Sequence, residues 1–200
     1  MSVTAAKERL LNAEAEEVEM RLAQKRSQAD LAGVYNFVGS VTEKAAKDCI
    51  EALDSWSRRD PGLDMTIVLN TPGGDVIDGL ALYDFIVTDL REVRGHSVNT
   101  VTRGYAASMG GILLQAGDER LIGANAHLLI HEVSRSAGLE KLAELEDVVE
   151  FSKRLQNRLV AILAERSTMS IKEIKRKWTR HDWWLSAEET VEFGFADAIG

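Results

Sequence analysis

The sequence lacks several features, and each absence excludes a class of protein. Its 200 residues include one cysteine, Cys49, so no disulfide can form within the chain, and a disulfide-stabilised secreted scaffold is excluded. No apolar run approaches the roughly 18 residues that span a bilayer. The N-terminus also lacks the apolar core of a signal peptide. We therefore expect a cytoplasmic protein with no membrane partner.

Positive charge is also in short supply. The chain has 24 Lys and Arg against 32 Asp and Glu, a net charge of −8, and no basic run stands out. Nucleic acid is therefore not expected as a partner. The chain carries neither a phosphate-binding P-loop nor a dinucleotide fingerprint, and we expect no cofactor and no metal ion. A hydrophobic content of 45% is typical of a globular protein with a sizeable core.

The composition changes at Gly33, where we place a domain boundary. Residues 2–30 contain no Gly or Pro, and charged residues alternate with Ala and Leu, which predicts a helix with only a thin apolar stripe. We assign residues 1–32 to an N-terminal charged helical extension and residues 33–200 to the main domain. A solvated, partly frayed arm is the alternative for the extension.

Strand and helix patterns alternate after the boundary, which predicts an α/β domain with largely parallel pairing. Apolar strand patterns include Met65 to Leu69, Val98 to Thr102 and His127 to His131. A helical pattern from Leu139 to about Arg166 is longer than one small core needs, so part of it is expected to contact another subunit. Its apolar stripe comprises Leu145, Val148, Leu155, Leu159 and Ile162. Capping-box spacing occurs at Ser40 and Glu43, Ser170 and Glu173, and Ser186 and Glu189.

A serine turn follows the central strand. The stretch from Gly104 to Gly111 places Ser108 among small residues directly before a short helical pattern. Small neighbours let a substrate approach closely, as a nucleophilic serine requires. The alternative is an ordinary N-cap, in which the serine only satisfies free backbone N–H groups.

A serine nucleophile needs a base, an orienting acid and an oxyanion hole. His131 ends an apolar strand pattern, where groups line the functional crevice of α/β sheets, although a lone histidine there is more often structural. His96 lies in a polar turn and is expected to be exposed. Asp182 is the favoured acid, because the two adjacent tryptophans could shield it; an exposed ion pair with Arg180 is the alternative. Gly73-Gly74, just before a helix, offers backbone N–H groups to an anion.

These residues resemble a known family, the proteolytic subunit of the Clp protease, ClpP. The resemblance covers roughly Val34 to Ile199. It rests on four motifs in the family's order: Asn70-Thr-Pro-Gly-Gly74, Ala106-Ala-Ser-Met-Gly110, Ile130-His131, and Asp182-x-x-Leu-Ser-Ala187 with Glu192-Phe-Gly194.

The resemblance assigns a role to each candidate residue. Ser108 is expected to be the nucleophile, His131 the general base and Asp182 the residue that orients it. The backbone N–H groups of Gly74 and Met109 are expected to form the oxyanion hole. The implied activity is that of a serine endopeptidase.

The resemblance also implies an architecture and partners. The expected fold is the ClpP/crotonase-like spiral of ββα units with a projecting handle helix near Leu139. The family forms stacked seven-membered rings around a chamber, so we expect a homo-oligomer with a protein or peptide substrate and a possible AAA+ unfoldase. The family's Gln-Pro after the histidine is replaced here by Glu132-Val133.

Three alternatives remain open at this point. One is a phage head maturation protease that works without an ATPase. Another is a crotonase-type acyl-CoA enzyme, which shares the fold but needs no Ser, His and Asp set. The last is a catalytically silent structural ring subunit, for which the loss of a triad residue would be the usual mark.

Overall fold

A computed structural model describes residues 3–134 and 142–200. This part of the chain contains seven strands and seven α-helices, and a π-helical segment, Phe85–Val93, continues α3. The strands are β1 Val34–Val38, β2 Met65–Thr71, β3 Val98–Ala107, β4 Arg120–Ile122, β5 His127–Ile130, β6 Trp183–Leu185 and β7 Ala198–Ile199. The helices are α1 Val3–Leu31, α2 Glu43–Arg59, α3 Val76–Asp84, α4 Met109–Leu114, α5 Leu142–Glu165, α6 Ile171–Trp178 and α7 Ala187–Glu192.

The strands form one sheet in the order β1-β2-β3-β4-β7, and every neighbouring pair in that row is parallel. Strand β5 also runs parallel to β3 but pairs with its second half, whereas β4 pairs with its first half. The short strand β6 is antiparallel to β5. The expected α/β class with largely parallel pairing is confirmed.

Residues of the sheet and of the helices α2 and α3 share one hydrophobic core. Strand β2 is buried at alternate positions, and helices α2 and α3 cover the sheet with buried side chains that include Leu53 and Leu82. Cys49 lies on the buried face of α2, as the helical spacing indicates. Parallel strands end at the same edge of a sheet, so the carboxyl ends of β2, β3 and β5 meet there.

The capping box expected at Ser40 and Glu43 is wrong. Helix α2 is capped by Thr42, whose hydroxyl accepts a hydrogen bond from Ala45 N–H at 3.2 Å. Val41 forms a parallel bridge with Gly74, which holds the chain extended before the helix can begin. A contact with a distant loop thus displaces the helix start. The other two capping boxes, at Ser170 and Ser186, are confirmed.

The N-terminal helix α1 extends from Val3 to Leu31, and residues 14–24 are all exposed. Its end is tied to the domain by the Arg59 guanidinium, which donates to the Asp30 carbonyl oxygen at 2.7 Å. The boundary at Gly33 falls between α1 and β1 and stays a prediction. None of the helices in the described ranges has the length and apolar character needed to cross a bilayer.

The expected long helix is present as α5, although its anticipated start at Leu139 lies outside the described residues. Its C-terminal half is anchored in the core by Leu159 and Ile162. Its N-terminal half is more open, and Val149 and Phe151 are each 42% exposed. Of the predicted apolar stripe, Leu145, Val148 and Leu155 are only half-buried, so this chain by itself does not cover the whole stripe.

Candidate active site

Ser108 occupies a strained turn between β3 and α4. Its φ of 55° and ψ of −119° lie in a region that residues with a side chain rarely adopt. Such conformations persist only where the surrounding structure enforces them, and they cluster at functional sites. The Ser108 N–H donates to the Leu129 carbonyl oxygen at 2.9 Å, which ties the turn to β5. The side chain makes no capping hydrogen bond, so the simple N-cap interpretation is not supported.

The glycine loop after β2 lies against this turn. A Cβ atom on Gly73 would lie only 2.5 Å from the Ala107 carbonyl oxygen and 2.7 Å from Ser108 Cβ, so only glycine fits here. Gly74 lines a cavity together with Ser108. Its N–H group has no hydrogen-bond partner among the described residues. The loop therefore presents a free donor beside the serine, as an oxyanion hole needs.

His131 and Asp182 are brought together by the pairing of β5 with β6. The last pair of this antiparallel ladder is Ile130 with Trp183. His131 and Asp182 are the next residues outward on the two segments, and both line one depression. The sequence reasoning did not anticipate β6, although this short strand determines where Asp182 lies.

The expected shielding of Asp182 by tryptophans is wrong for the single chain. Asp182 is exposed, and Trp184 is 50% exposed. Trp183 instead packs inward, with its ring centroid 5.4 Å from that of Phe193 and 5.9 Å from that of Phe195. The alternation of side chains along β6 turns the two rings to opposite faces, so they do not enclose the carboxylate.

Two adjoining depressions connect the candidate residues. We call the first the serine cavity: it has a volume of about 60 Å³, and Ser108, Gly74 and His131 line it. Its remaining wall is mainly apolar and includes Ile112, Ile130, Leu159, Leu163 and Trp178. The second, which we call the acid recess, has a volume of about 410 Å³ and is lined by His131, Glu132, Trp178, Arg180, His181 and Asp182. His131 thus lies between the serine and the acid.

No hydrogen bond joins Ser108 to His131, or His131 to Asp182, in this single chain. The structure therefore places the three residues at one edge of the sheet without linking their side chains. No ion pair joins Asp182 to Arg180 among the described residues, so the alternative of a surface pair is not supported. Catalytic hydrogen bonds are often long before substrate binds.

A different serine and histidine pair is hydrogen bonded at the opposite edge of the sheet. Ser57 Oγ lies 2.7 Å from His96 Nε2, and both side chains are only 5% exposed. The expectation that His96 is exposed is therefore wrong. His96 lies just before β3, and Ser108 lies just after it. A ten-residue strand is about 30 Å long, so the two histidine and serine sites are about that far apart.

The buried pair of Ser57 and His96 has a structural role. His96 Nδ1 lies 3.1 Å from the Leu63 carbonyl oxygen, which only accepts, so Nδ1 carries the proton and Nε2 accepts from Ser57. The Arg94 guanidinium donates to Ser57 Oγ at 3.2 Å. No carboxylate of the described residues hydrogen bonds to the imidazole, and the burial of both side chains leaves no room for a substrate. The pair joins α2 to the start of β3.

The Cys49 thiol is not an alternative nucleophile to Ser108. Burial raises the pKa of the Cys49 thiol, so the cysteine stays neutral and is not a nucleophile. Within residues 3–134 and 142–200, no three His, Cys, Asp or Glu side chains are grouped to hold a metal ion.

Sequence reasoning did not assign a role to Glu132, which lines the acid recess beside His131. Its carboxylate accepts a hydrogen bond from the Arg180 N–H at 3.0 Å. The departure from the Gln-Pro that usually follows the family's histidine was the only signal in the sequence at this position.

Comparison with known proteins shows the family of this chain. The sequence model of the family described as "Clp protease" matches residues 18–200, including the second half of α1. The ATP-dependent Clp protease proteolytic subunit of Streptococcus sanguinis (strain SK36) is 37% identical over 172 residues, which cover 83% of each chain. The proteins of the same name from Streptococcus suis (strain 98HAH33) and Streptococcus uberis (strain ATCC BAA-854 / 0140J) are each 35% identical over the same coverage.

Proposed function

This chain belongs to the Clp protease family, and we propose that it is a serine endopeptidase in which Ser108 attacks the peptide carbonyl carbon. One observation carries the proposal: the strained serine turn lines a cavity with Gly74 and His131. The family's serine-type activity and the presence of all three candidate residues favour it over a crotonase-type enzyme or a silent subunit.

The proposed mechanism assigns one step to each residue. His131 accepts the hydroxyl proton as Ser108 Oγ bonds to the carbonyl carbon, and Asp182 orients the imidazole and stabilises its positive charge. The N–H groups of Gly74 and Met109 stabilise the negative oxygen of the tetrahedral intermediate. His131 then gives the proton to the departing amine. In the second half of the reaction His131 takes a proton from a water molecule that bonds to the acyl carbon, and the bond to Ser108 Oγ breaks as His131 gives that proton to Oγ.

The walls of the serine cavity indicate which side chain fits there. Ile112, Leu159 and Leu163 give it an apolar lining, and its volume is about 60 Å³. Burying a charge against such a wall without a partner is costly. We therefore propose that the residue before the cleaved bond is apolar.

We further propose that the active form is a homo-oligomer of stacked rings. The support is the N-terminal half of α5, where Phe151 is exposed and Val148 and Leu155, one turn away on either side, are only half-buried. A contiguous apolar patch of this kind normally marks an interface. The relatives are named ATP-dependent, and we propose an ATP-driven unfoldase as a partner here, with cytoplasmic location.

The test is labelling with a fluorophosphonate probe together with hydrolysis of a short peptide. Ser108→Ala should remove labelling and lower turnover by about four to six orders of magnitude, with assembly unchanged. Ser57→Ala is the matched control, because it removes the only serine that is hydrogen bonded to a histidine in the described ranges. It should retain labelling. Labelled Ser108→Ala, or unlabelled but folded Ser57→Ala, would contradict the assignment.

To separate the ATP-dependent subunit from a phage-type maturation protease, degradation of a folded protein is measured with and without an ATP-driven unfoldase of a relative. Degradation that depends on the unfoldase supports the ATP-dependent subunit. Cleavage of an assembly protein without any nucleotide supports the phage-type maturation protease.

A further inference from the structure

One hydrogen bond joins the two segments that carry the proposed base and acid, beyond the end of the β5 and β6 ladder. The Arg180 N–H donates to Glu132 Oε2 at 3.0 Å. Glu132 directly follows His131, and Arg180 lies two residues before Asp182. No other hydrogen bond connects residues 131–134 to residues 178–182 in the described ranges. The Glu132 side chain is therefore the specific link between the segments.

This bond is made to a strained turn. Arg180 has a φ of 59°, and only Ser108 shares a positive φ among the described residues that are not glycine. The His181 N–H donates to the Trp178 carbonyl oxygen at 3.0 Å and closes the turn after α6. A carboxylate that accepts from the Arg180 N–H favours this backbone conformation, since a charged acceptor makes a stronger hydrogen bond than a neutral one. Glu132 thus sets the direction in which the chain enters Asp182.

We propose that Glu132 is a positioning residue that holds Asp182 opposite His131. The inference rests on the proposed function, because it matters only if these two residues are the acid and the base. The regular ladder ends at Ile130 and Trp183, and no side-chain hydrogen bond fixes Asp182. Without the bond to Glu132, the turn is free to relax, and the carboxylate loses its alignment with the imidazole.

Two roles are possible for Glu132, and they predict different activities for its variants. If the hydrogen bond to Arg180 is what matters, Glu132→Gln keeps an acceptor oxygen at the same reach and should remain active. Glu132→Asp keeps the charge but is one methylene shorter, so it should lose the bond. If negative charge beside His131 is what matters, the order reverses. Glu132→Ala removes both.

The experiment measures kcat and KM for a short peptide, normalised to active sites titrated with the fluorophosphonate probe. We expect Glu132→Ala and Glu132→Asp to lower kcat by about 10- to 100-fold with KM nearly unchanged, because a misplacement of about 1 Å costs that much. Glu132→Gln should retain most of kcat. Wild-type kcat in Glu132→Ala, or equal losses in Glu132→Gln and Glu132→Ala, would overturn the proposal.

Two further measurements separate the possible failures. A lowered melting temperature with unchanged kcat per active site would mean that Glu132 only stabilises the fold, which overturns the positioning role. If Ser108→Ala is inactive and Glu132→Ala is fully active, only the positioning role of Glu132 is refuted. If Ser108→Ala is active, the proposed function itself is refuted.

Discussion

Replacing Gly73 by alanine tests how closely the glycine loop supports the serine turn. The added Cβ would lie 2.5 Å from the Ala107 carbonyl oxygen, 2.7 Å from Ser108 Cβ and 2.9 Å from Met109 N. Ordinary contact begins at 3.4 Å, so these atoms must separate by a further 0.9, 0.7 and 0.5 Å respectively. All three atoms belong to the turn that holds the proposed nucleophile, or to the residue just before it.

The size of the effect follows from this displacement. Gly73 has a φ of 86°, so a side chain there costs about 1 to 2 kcal/mol in backbone strain alone. Overpacking adds about 1 to 3 kcal/mol. Moving the nucleophile and an oxyanion donor by most of an ångström should lower kcat by about 10- to 100-fold. Loss of stability and loss of activity are therefore both expected.

A matched control separates strain from contact. Gly95 has a similar φ of 74°, but no atom lies within 4 Å of a Cβ added there. Gly95→Ala should therefore show the strain cost without a change in kcat. Thermal unfolding gives the stability of both variants, and peptide hydrolysis per titrated active site gives kcat. If Gly73→Ala keeps the wild-type kcat, or if both variants lose the same fraction of it, the loop does not support the serine as we describe.

Four other predictions concern an ion pair, a helix cap, the surface of α5 and the N-terminal helix. Burial raises the pKa of Asp197, but hydrogen bonds from Arg120 outweigh it and leave that pKa below its usual value, so Asp197→Asn should destabilise at neutral pH. The difference should fade in acid melts below about pH 4, as the carboxylate is protonated. Thr42→Ala should cost about 1 kcal/mol in urea unfolding without changing kcat. Leu155→Asp should split the oligomer in light scattering, and a wild-type protein that is itself a monomer would contradict this prediction. Deleting residues 2–30 should preserve short-peptide cleavage, whereas loss of cleavage would move the domain boundary.

Local patterns in the sequence were sufficient for much of the fold. The capping boxes at Ser170 and Ser186 could be predicted because cap and partner lie three residues apart. The same spacing at Ser40 and Glu43 failed, because the bridge from Val41 to Gly74 displaces the start of α2. The central strand could also be predicted from its β-branched run, although β3 continues past Thr102 to Ala107. The small residues around Ser108 indicated a tight turn, because glycine and alanine permit one. These features depend on contacts within one segment of chain.

Contacts between distant segments determined the rest. His96 looked exposed in its polar turn, yet Ser57 and Leu63 bury it at the far edge of the sheet. Strand β6 is too short to show a pattern and forms because β5 lies beside it. This pairing brings Asp182 to the depression that His131 also lines.

The sequence alone thus determined which residue types could form a serine site and the order of the elements that carry them. The tertiary structure decided which serine has the open cavity, and that Glu132 contacts the turn before Asp182. The physical reason is that a backbone pattern acts over a few residues, whereas the burial, hydrogen bonding and alignment of a catalytic side chain depend on atoms that folding brings from elsewhere in the chain.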